Sequence, residues 1–480
     1  MRRSAPSPAP ADFAPVRLYV EDALRDEGVP SLALAVSRHG RILWEEGFGW
    51  ADREERIRAT PHTPYSVASV TKPLTGAALM VLVERGAVDL DAPVNRYLGE
   101  PGLRAFAGGP ETAAAATVRR VGNHTAGLPL HYHFFPEDGP EPPPMEETLR
   151  RYGHLVTLPG ERHRYSNLGY GVLDHLIARV SGRPYADFMR SEVFLPLGMR
   201  RSWIGRAHAP APRPAARYGP EGARLPFYDF DHRGGSAAFA SAHDLALFGA
   251  FQVGAPPPGQ RAVLSRQALA ETQRGTAEVQ AGIAYGLGWR TGVDAAGRRR
   301  VGHTGGMAGV STILELLPEE GLAIAVLATA ATSLPGRVVD RLLAALWPEY
   351  REAAGGQAVP APAAPAESVE EAIAGRWTGS VATYQGDLAL TLDCGGPGGV
   401  RARLGGDPPT ELRDARLRDG WLTGKMSGAL GTDDCARRPY VLHADLRLRG
   451  GRLAGALIAV SPPEVVLGHA LAHRTELRRT

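Results

Sequence analysis

Apolar positions along this chain change their period several times, and the changes mark out its elements. Residues 13–27 carry apolar side chains at the spacing of an amphipathic helix. Residues 31–38 and 41–47 are apolar-rich runs joined by His39-Gly40, which predicts a β-hairpin. Residues 70–85 are apolar on most faces and end at Gly86, as in a helix buried at the centre of a large domain. Pro73 falls within its first turn, where a missing N–H costs least. Helical patterns recur at 168–180 and 243–252, while the proline-rich stretch 134–145 reads as a long exposed loop. Strand patterns return at 285–290, 300–303, 311–316 and 322–328, the last two separated by a turn at Pro318-Glu319-Glu320-Gly321, and 338–347 closes this part as a helix. Strands at both ends with helices between them predict an α/β domain: an antiparallel sheet flanked by helices and interrupted by an all-helical insertion at about 75–250.

Beyond that point the texture changes. Residues 353–367 are rich in Ala, Pro and Gly and read as a linker. Residues 368–480 hold short strand-like runs at 377–392, 400–404, 410–418 and 440–461, split by Gly, Pro and Asp, which predicts a small all-β barrel. The division is therefore a disordered tail at 1–12, a catalytic domain at 13–352, the linker and the β domain. No internal repeat is visible.

Composition narrows the function. The chain has 480 residues, 44% of them hydrophobic and 22% charged, and a net charge of only +3. No basic cluster argues for nucleic acid, and no run of eighteen apolar residues argues for a membrane span. Arg2-Arg3 is not followed by an apolar stretch, so a secretory signal is not expected and the chain reads as cytoplasmic. The two cysteines, Cys394 and Cys435, read as buried or unpaired thiols, with a disulfide as the alternative. His131 and His133 have no third ligand in view, so neither metal nor cofactor is expected. Of 54 lysines and arginines only two, Lys72 and Lys425, are lysines. Arginine cannot lose its proton in a protein, whereas a buried lysine can act as a base. Lys72 is thus a position to inspect.

Its neighbours carry chemistry. Ser69-Val70-Thr71-Lys72 is an S-x-x-K tetrad opening the buried helix. The i, i+3 spacing puts the amine on the face of the serine oxygen, and an amine neutralised by burial can take the serine proton. Tyr165-Ser166-Asn167 offers a phenol for proton transfer and an amide to orient a base or hold an acyl-side amide. Gly302-His303-Thr304-Gly305-Gly306 ends a strand, where glycines let a substrate backbone lie close and a backbone N–H can join that of Ser69 in an oxyanion hole.

In this order, S-x-x-K, Y-x-N and H-T-G resemble the penicillin-binding-protein and class C β-lactamase superfamily of serine hydrolases. Gly122-Asn123-His124-Thr125-Ala126-Gly127-Leu128-Pro129, the stretch 82–98, Pro196-Leu197-Gly198-Met199 and Tyr285-Gly286-Leu287-Gly288-Trp289 strengthen the likeness, which covers about residues 15–350. The resemblance implies a β-lactamase-like fold. It also implies Ser69 as acylated nucleophile, Lys72 and Tyr165 as the proton-transfer pair, and Ser69 and Gly306 N–H groups as the oxyanion hole. Asn167, His303, Thr304 and Gly305 would meet the substrate.

One position departs from the pattern. β-Lactamases and cell-wall peptidases of this superfamily carry a lysine where this chain has His303, and a largely neutral histidine holds a carboxylate less well. Histidine there is familiar among relatives that are esterases, D-amino-acid-specific peptidases and acyltransferases. The C-terminal unit resembles the lipocalin-like domain of some relatives. One subgroup, the penicillin-binding-protein-type thioesterases, combines all these features and cyclises nonribosomal peptides taken from a peptidyl carrier protein. The expected function is acyl transfer through acyl-Ser69 from an ester, thioester or D-residue-containing peptide bond of a small-molecule or peptide substrate. Cyclisation by an internal amine is the alternative, and a β-lactamase or an inactive binding protein stands behind both.

Overall fold

The hairpin of the first strands is where the sheet begins. Ser31–Arg38 and Arg41–Asp52 pair antiparallel, and His39 and Gly40 both take positive φ (49° and 76°), the two-residue turn whose twist suits a hairpin. The computed structural model describes residues 13–105, 110–206, 212–294, 297–347, 350, 373–396 and 399–480. The expected tail 1–12 and linker 353–367 lie outside the described residues. The chain forms two compact units, Met1–Leu90 with Leu173–Gly356, and Asp91–Val172 with Gln357–Thr480.

In the first unit the hairpin strand Ser31–Arg38 pairs with Leu322–Ala328, so the two ends of this region meet in one nine-stranded antiparallel sheet. Both strands are buried along nearly their whole length because both faces are covered. On one face Ala14–Asp26 and Leu334–Leu346 close a core around Val20, Leu34, Ile324 and Leu342. Helix Ala242–Gln252 packs on the strands as well. Helix Thr71–Glu84 is buried from Thr71 to Leu82, as its all-round apolar pattern requires. The expected strand 285–290 is broken. Ile283–Tyr285 and Arg290–Val293 are strands, and the residues between them turn, with Gly288 at φ 87°. A Cβ on Gly288 would lie 2.6 Å from the Lys72 carbonyl oxygen, so this glycine lets the turn rest on the backbone of helix Thr71–Glu84.

The second unit brings the C-terminal strands together with residues 91–172. The C-terminal strands run in the order Thr410–Glu411, Gly399–Leu404, Gly386–Gly396, Gly375–Thr383, His469–Arg479, Arg452–Val460, Val441–Arg449, Trp421–Met426, Arg413–Arg418. The two edge strands are separated in sequence only by Leu412, so the sheet curls into a nearly closed antiparallel barrel. The expected runs 377–392 and 440–461 each prove to be two strands, the second turning at Gly450-Gly451. Arg452–Val460 is buried on both faces. One side chain set fills the barrel, and Ala456 and Ile458 join Ala470, Ala472 and Val156 in a second cluster. Part of the expected exposed loop is also a strand: Tyr132–Pro136 pairs with His469–Arg479, and Phe135 is buried. Its partner lies more than 300 residues away, which local pattern does not reveal. Cys394 and Cys435 are both free and buried.

Candidate active site

In the first unit Ser69 sits in a 3-10 turn, Ala68–Val70, that leads directly into helix Thr71–Glu84. Ala68 is held at φ 48°, a strained backbone for a residue with a side chain and one that turns the serine out of the strand before it. Ser69 is half-buried, so it can be reached, whereas Lys72 is fully buried. One turn along, Lys72 Nζ lies 3.1 Å from Ser69 Oγ and donates to the Gly235 carbonyl at 2.8 Å. Burial holds the amine well below the ordinary lysine pKa, favouring its neutral form. The floor beneath it is built from hydrogen bonds. Asp174 accepts from Gly234 N–H at 2.6 Å, and the Gly234 carbonyl accepts from Thr75 Oγ1, which also meets Tyr185 Oη. Gly234, Gly235, Asp174 and Thr75 were not legible as site residues. The glycines act through backbone groups, Asp174 from a distant helix and Thr75 through its hydroxyl on the helix of Lys72, and none carries a motif.

Strand Arg299–Met307 runs beside the serine turn. A Cβ on Gly305 would lie 2.3 Å from the Val67 carbonyl oxygen, so glycine is what permits this approach. Pairing with Arg290–Val293 stops at Gly302, and beyond it Thr304 and Gly306 are exposed. That leaves a strand edge of the kind to which an extended backbone can add. Ser69 N–H opens its short helix, where the first donors lack intrahelical partners.

His303 is buried and serves this strand from within. Its Nδ1 lies 2.6 Å from the Thr304 carbonyl, which can only accept, so Nδ1 carries the proton. Nε2 then accepts from Tyr285 Oη at 2.8 Å. Burial first, and then the nearby Lys72, hold this imidazole well below its usual pKa. It is a neutral histidine with both ring nitrogens engaged, not a cation facing a carboxylate. Tyr285 belongs to a stretch already singled out in the sequence, but its partnership with His303 needed the fold.

Tyr165 and Asn167 belong to the second unit. Asn167 begins helix Asn167–Ser181, and Ser166 Oγ accepts from Gly169 N–H in its first turn. Asn167 Nδ2 donates to the His131 carbonyl at 3.0 Å, and its N–H to the Leu130 carbonyl. His124 orders the residues just ahead. Its Nδ1 accepts from Ser166 N–H at 3.1 Å, its carbonyl from Arg164 N–H, and its ring lies 4.5 Å from that of Tyr165. The barrel strands hold the same arm from another side. Asp445 takes Arg164 at 2.6 Å and Arg162 at 3.2 Å, and Arg162 stacks over Trp421. Glu161 receives Arg447 and Arg449. Asp434 receives Arg151 and Tyr152.

Residues 16–347 match the family described as Beta-lactamase. Protein flp of Staphylococcus aureus (strain COL) is 24% identical over 329 residues, which cover 67% of this chain and 64% of that protein, slightly under two thirds of its length. The crystal structure of SurE with D-Leu is similar at TM-score 0.62 and 23% identity, covering 97% of this chain and 100% of that one. The octameric penicillin-binding protein homologue from Pyrococcus abyssi is similar at TM-score 0.61 and 21% identity, again over 97% and 100%. These structural likenesses show the fold, and they extend through the C-terminal strands as well as the domain that carries Ser69. No helix among the described residues is long and apolar enough to cross a membrane.

Proposed function

The chain belongs to the beta-lactamase family, and from that premise we propose that it transfers acyl groups from an ester or thioester donor through Ser69. The carrying observation is the fully buried Lys72 amine 3.1 Å from Ser69 Oγ. Neutral Lys72 takes the Ser69 proton as Oγ attacks the donor carbonyl. The oxyanion is met by the N–H groups of Ser69 and Gly306, and the departing alcohol or thiol takes a proton back as the acyl-enzyme forms. Tyr165 is assigned as the second proton carrier, and Asn167 as an amide that orients the acyl chain, both from their motif. Thr304 and Gly305 offer the strand edge to the acyl backbone.

His303 supports a donor without a free carboxylate. With no permanent cation at that position, nothing there rewards the carboxylate of a β-lactam or a cell-wall stem peptide. The likeness to SurE with D-Leu along nearly the whole chain supports a D-configured residue at the acyl terminus. In the second half-reaction either water or an amine of the acyl chain attacks the ester. We favour the amine, giving a cyclic peptide, with the donor thioester presented by a peptidyl carrier protein.

A linear peptidyl thioester ending in a D-residue tests this, with protein and products followed by mass spectrometry. A product lighter than the linear acid by one water, absent with Ser69→Ala, supports cyclisation. Ser69-dependent linear acid alone would replace that reading with an esterase or D-peptidase. No acyl adduct with this or any simple activated ester would bring the binding-protein reading forward.

A further inference from the structure

On the first unit, three side chains that play no part in the acyl-transfer chemistry converge from separate elements. Glu45 lies on strand Arg41–Asp52, between Trp44 and Glu46, whose side chains turn to the opposite, buried face. His243 is the second residue of helix Ala242–Gln252. His62 sits in the turn Thr60–Thr63, closed by Thr63 N–H to the Thr60 carbonyl and by Thr60 N–H to Thr63 Oγ1. One carboxylate divides its oxygens between two imidazoles. Glu45 Oε2 is 2.6 Å from His243 Nδ1, and Oε1 is 3.6 Å from His62 Nε2. The imidazole rings lie 4.6 Å apart, and one donor atom from each residue falls within 4.8 Å of the others.

We propose that Glu45, His62 and His243 form a binding site for a divalent transition-metal ion of the zinc class. Two imidazole nitrogens and one carboxylate oxygen suit zinc better than calcium or magnesium, which want oxygen alone. Three protein ligands leave a further position for water, and His62, 48% exposed at its side chain, gives the ion a way in. The scaffold is fixed in advance. His243 N–H donates to the Pro61 carbonyl at 3.1 Å, which ties the turn holding one imidazole to the helix holding the other. Asp244 is not a ligand, because its carboxylate already accepts from Arg201 N–H and Ser202 Oγ. Arg201 is the nearby positive charge that opposes an ion, and Asp244 the negative charge that favours it. A bound ion would join the hairpin strand, the turn that precedes strand Tyr65–Ser66, and the helix.

The test is equilibrium dialysis of the full chain, stripped with a chelator, against zinc ion with metal analysis, and cobalt(II) absorption as a report of coordination. The expected result is one saturable zinc per chain, a higher melting temperature with zinc, and at least about tenfold weaker binding in both His62→Gln and His243→Gln. Formation of the acyl adduct with an activated ester shows that each variant is folded. If His243→Gln fails that control, His62→Gln, in its half-exposed turn, decides alone. No saturable zinc in the unaltered chain, or undiminished zinc in the folded variants, overturns the proposal.

Discussion

The two segments that carry the proposed catalytic residues, one around Ser69 and one around Tyr165, are held in place by different physics. Ser69, Lys72 and His303 are fixed by burial, by glycines that allow backbones to touch, and by neutral hydrogen bonds such as Tyr285 to His303. The arm that carries Tyr165 and Asn167 is fixed by charge: Arg164 and Arg162 on Asp445, and Glu161 between Arg447 and Arg449. A base that must stay neutral needs a site without strong fields, which burial supplies. A segment lying on the outside of a barrel has little apolar area to offer, so it is pinned by ion pairs, whose value depends on partners and solvent.

The sharpest break targets the serine end. Lys72→Arg keeps a long basic side chain but puts a permanently charged group that cannot accept a proton beside Ser69. Acylation by an activated ester should fall by about 10²–10⁴-fold, read from the rate of adduct formation by mass spectrometry. A fully active variant would disprove the neutral-amine mechanism.

Next comes Asp445→Ala at the other end. It strands Arg164, whose side chain is only 10% exposed. Loss of one partner of such a pair should cost about 3 kcal/mol in denaturant unfolding. Acylation should slow as Tyr165 loses its neighbour's anchor, and Asp445→Asn should lie between. A variant that is destabilised yet acylates at the full rate would mean that the barrel contacts do not position the arm.

Acidification should separate the two regions more gently. Burial, foremost among several causes, lowers His469 and His473 to about 4 and His154 to about 3. The unfolded chain takes up these protons first, near 6.5, so their contribution is complete above that value and is lost as the pH falls toward 4 and below. In the first unit two histidines, His303 and the exposed His62, have the same sign, against these three and His443 in the second. Hydrogen-exchange protection, relative to the intrinsic rate at each pH, should therefore fall earlier in His469–Arg479 than in Ser31–Arg38 as pH is lowered from 7 to about 4.5. Protection falling equally in both would remove this contrast.

The smallest effect is expected from Glu161→Gln. Its partners Arg447 and Arg449 are 28% and 52% exposed, so the loss should stay below about 1 kcal/mol and shrink with added salt. A larger, salt-insensitive loss would move this pair into the same class as Asp445.

The same contrast explains what the sequence made legible. Ser69, Lys72, the hairpin and the buried helix announce themselves through short-range spacing, because a serine and a lysine three residues apart meet across one turn and a buried helix must be apolar all round. Strand 285–290 is broken because Gly288 rests on the Lys72 backbone and Gly286 on the Thr272 and Arg274 carbonyls, which are tertiary demands. The floor under Lys72, from Thr75 to Gly234 and Asp174, joins residues up to 163 positions apart through main-chain groups that any sequence would supply. Least visible was the alliance of 91–172 with the C-terminal strands. Tyr132–Pro136 is a strand only because His469–Arg479 lies beside it, and Arg164 is one arginine among many until Asp445 is found.

That alliance also sets an order in time. His469–Arg479 is synthesised more than 300 residues after Tyr132–Pro136, yet it lies in the middle of the barrel sheet, between Gly375–Thr383 and Arg452–Val460, and it supplies the edge for Tyr132–Pro136. While the chain is being made, Ser69 and Lys72 can already share a helix turn, but the segment around Tyr165 must wait for barrel strands synthesised long after it. A nascent chain thus carries an unseated Tyr165 arm until these distant partners have emerged.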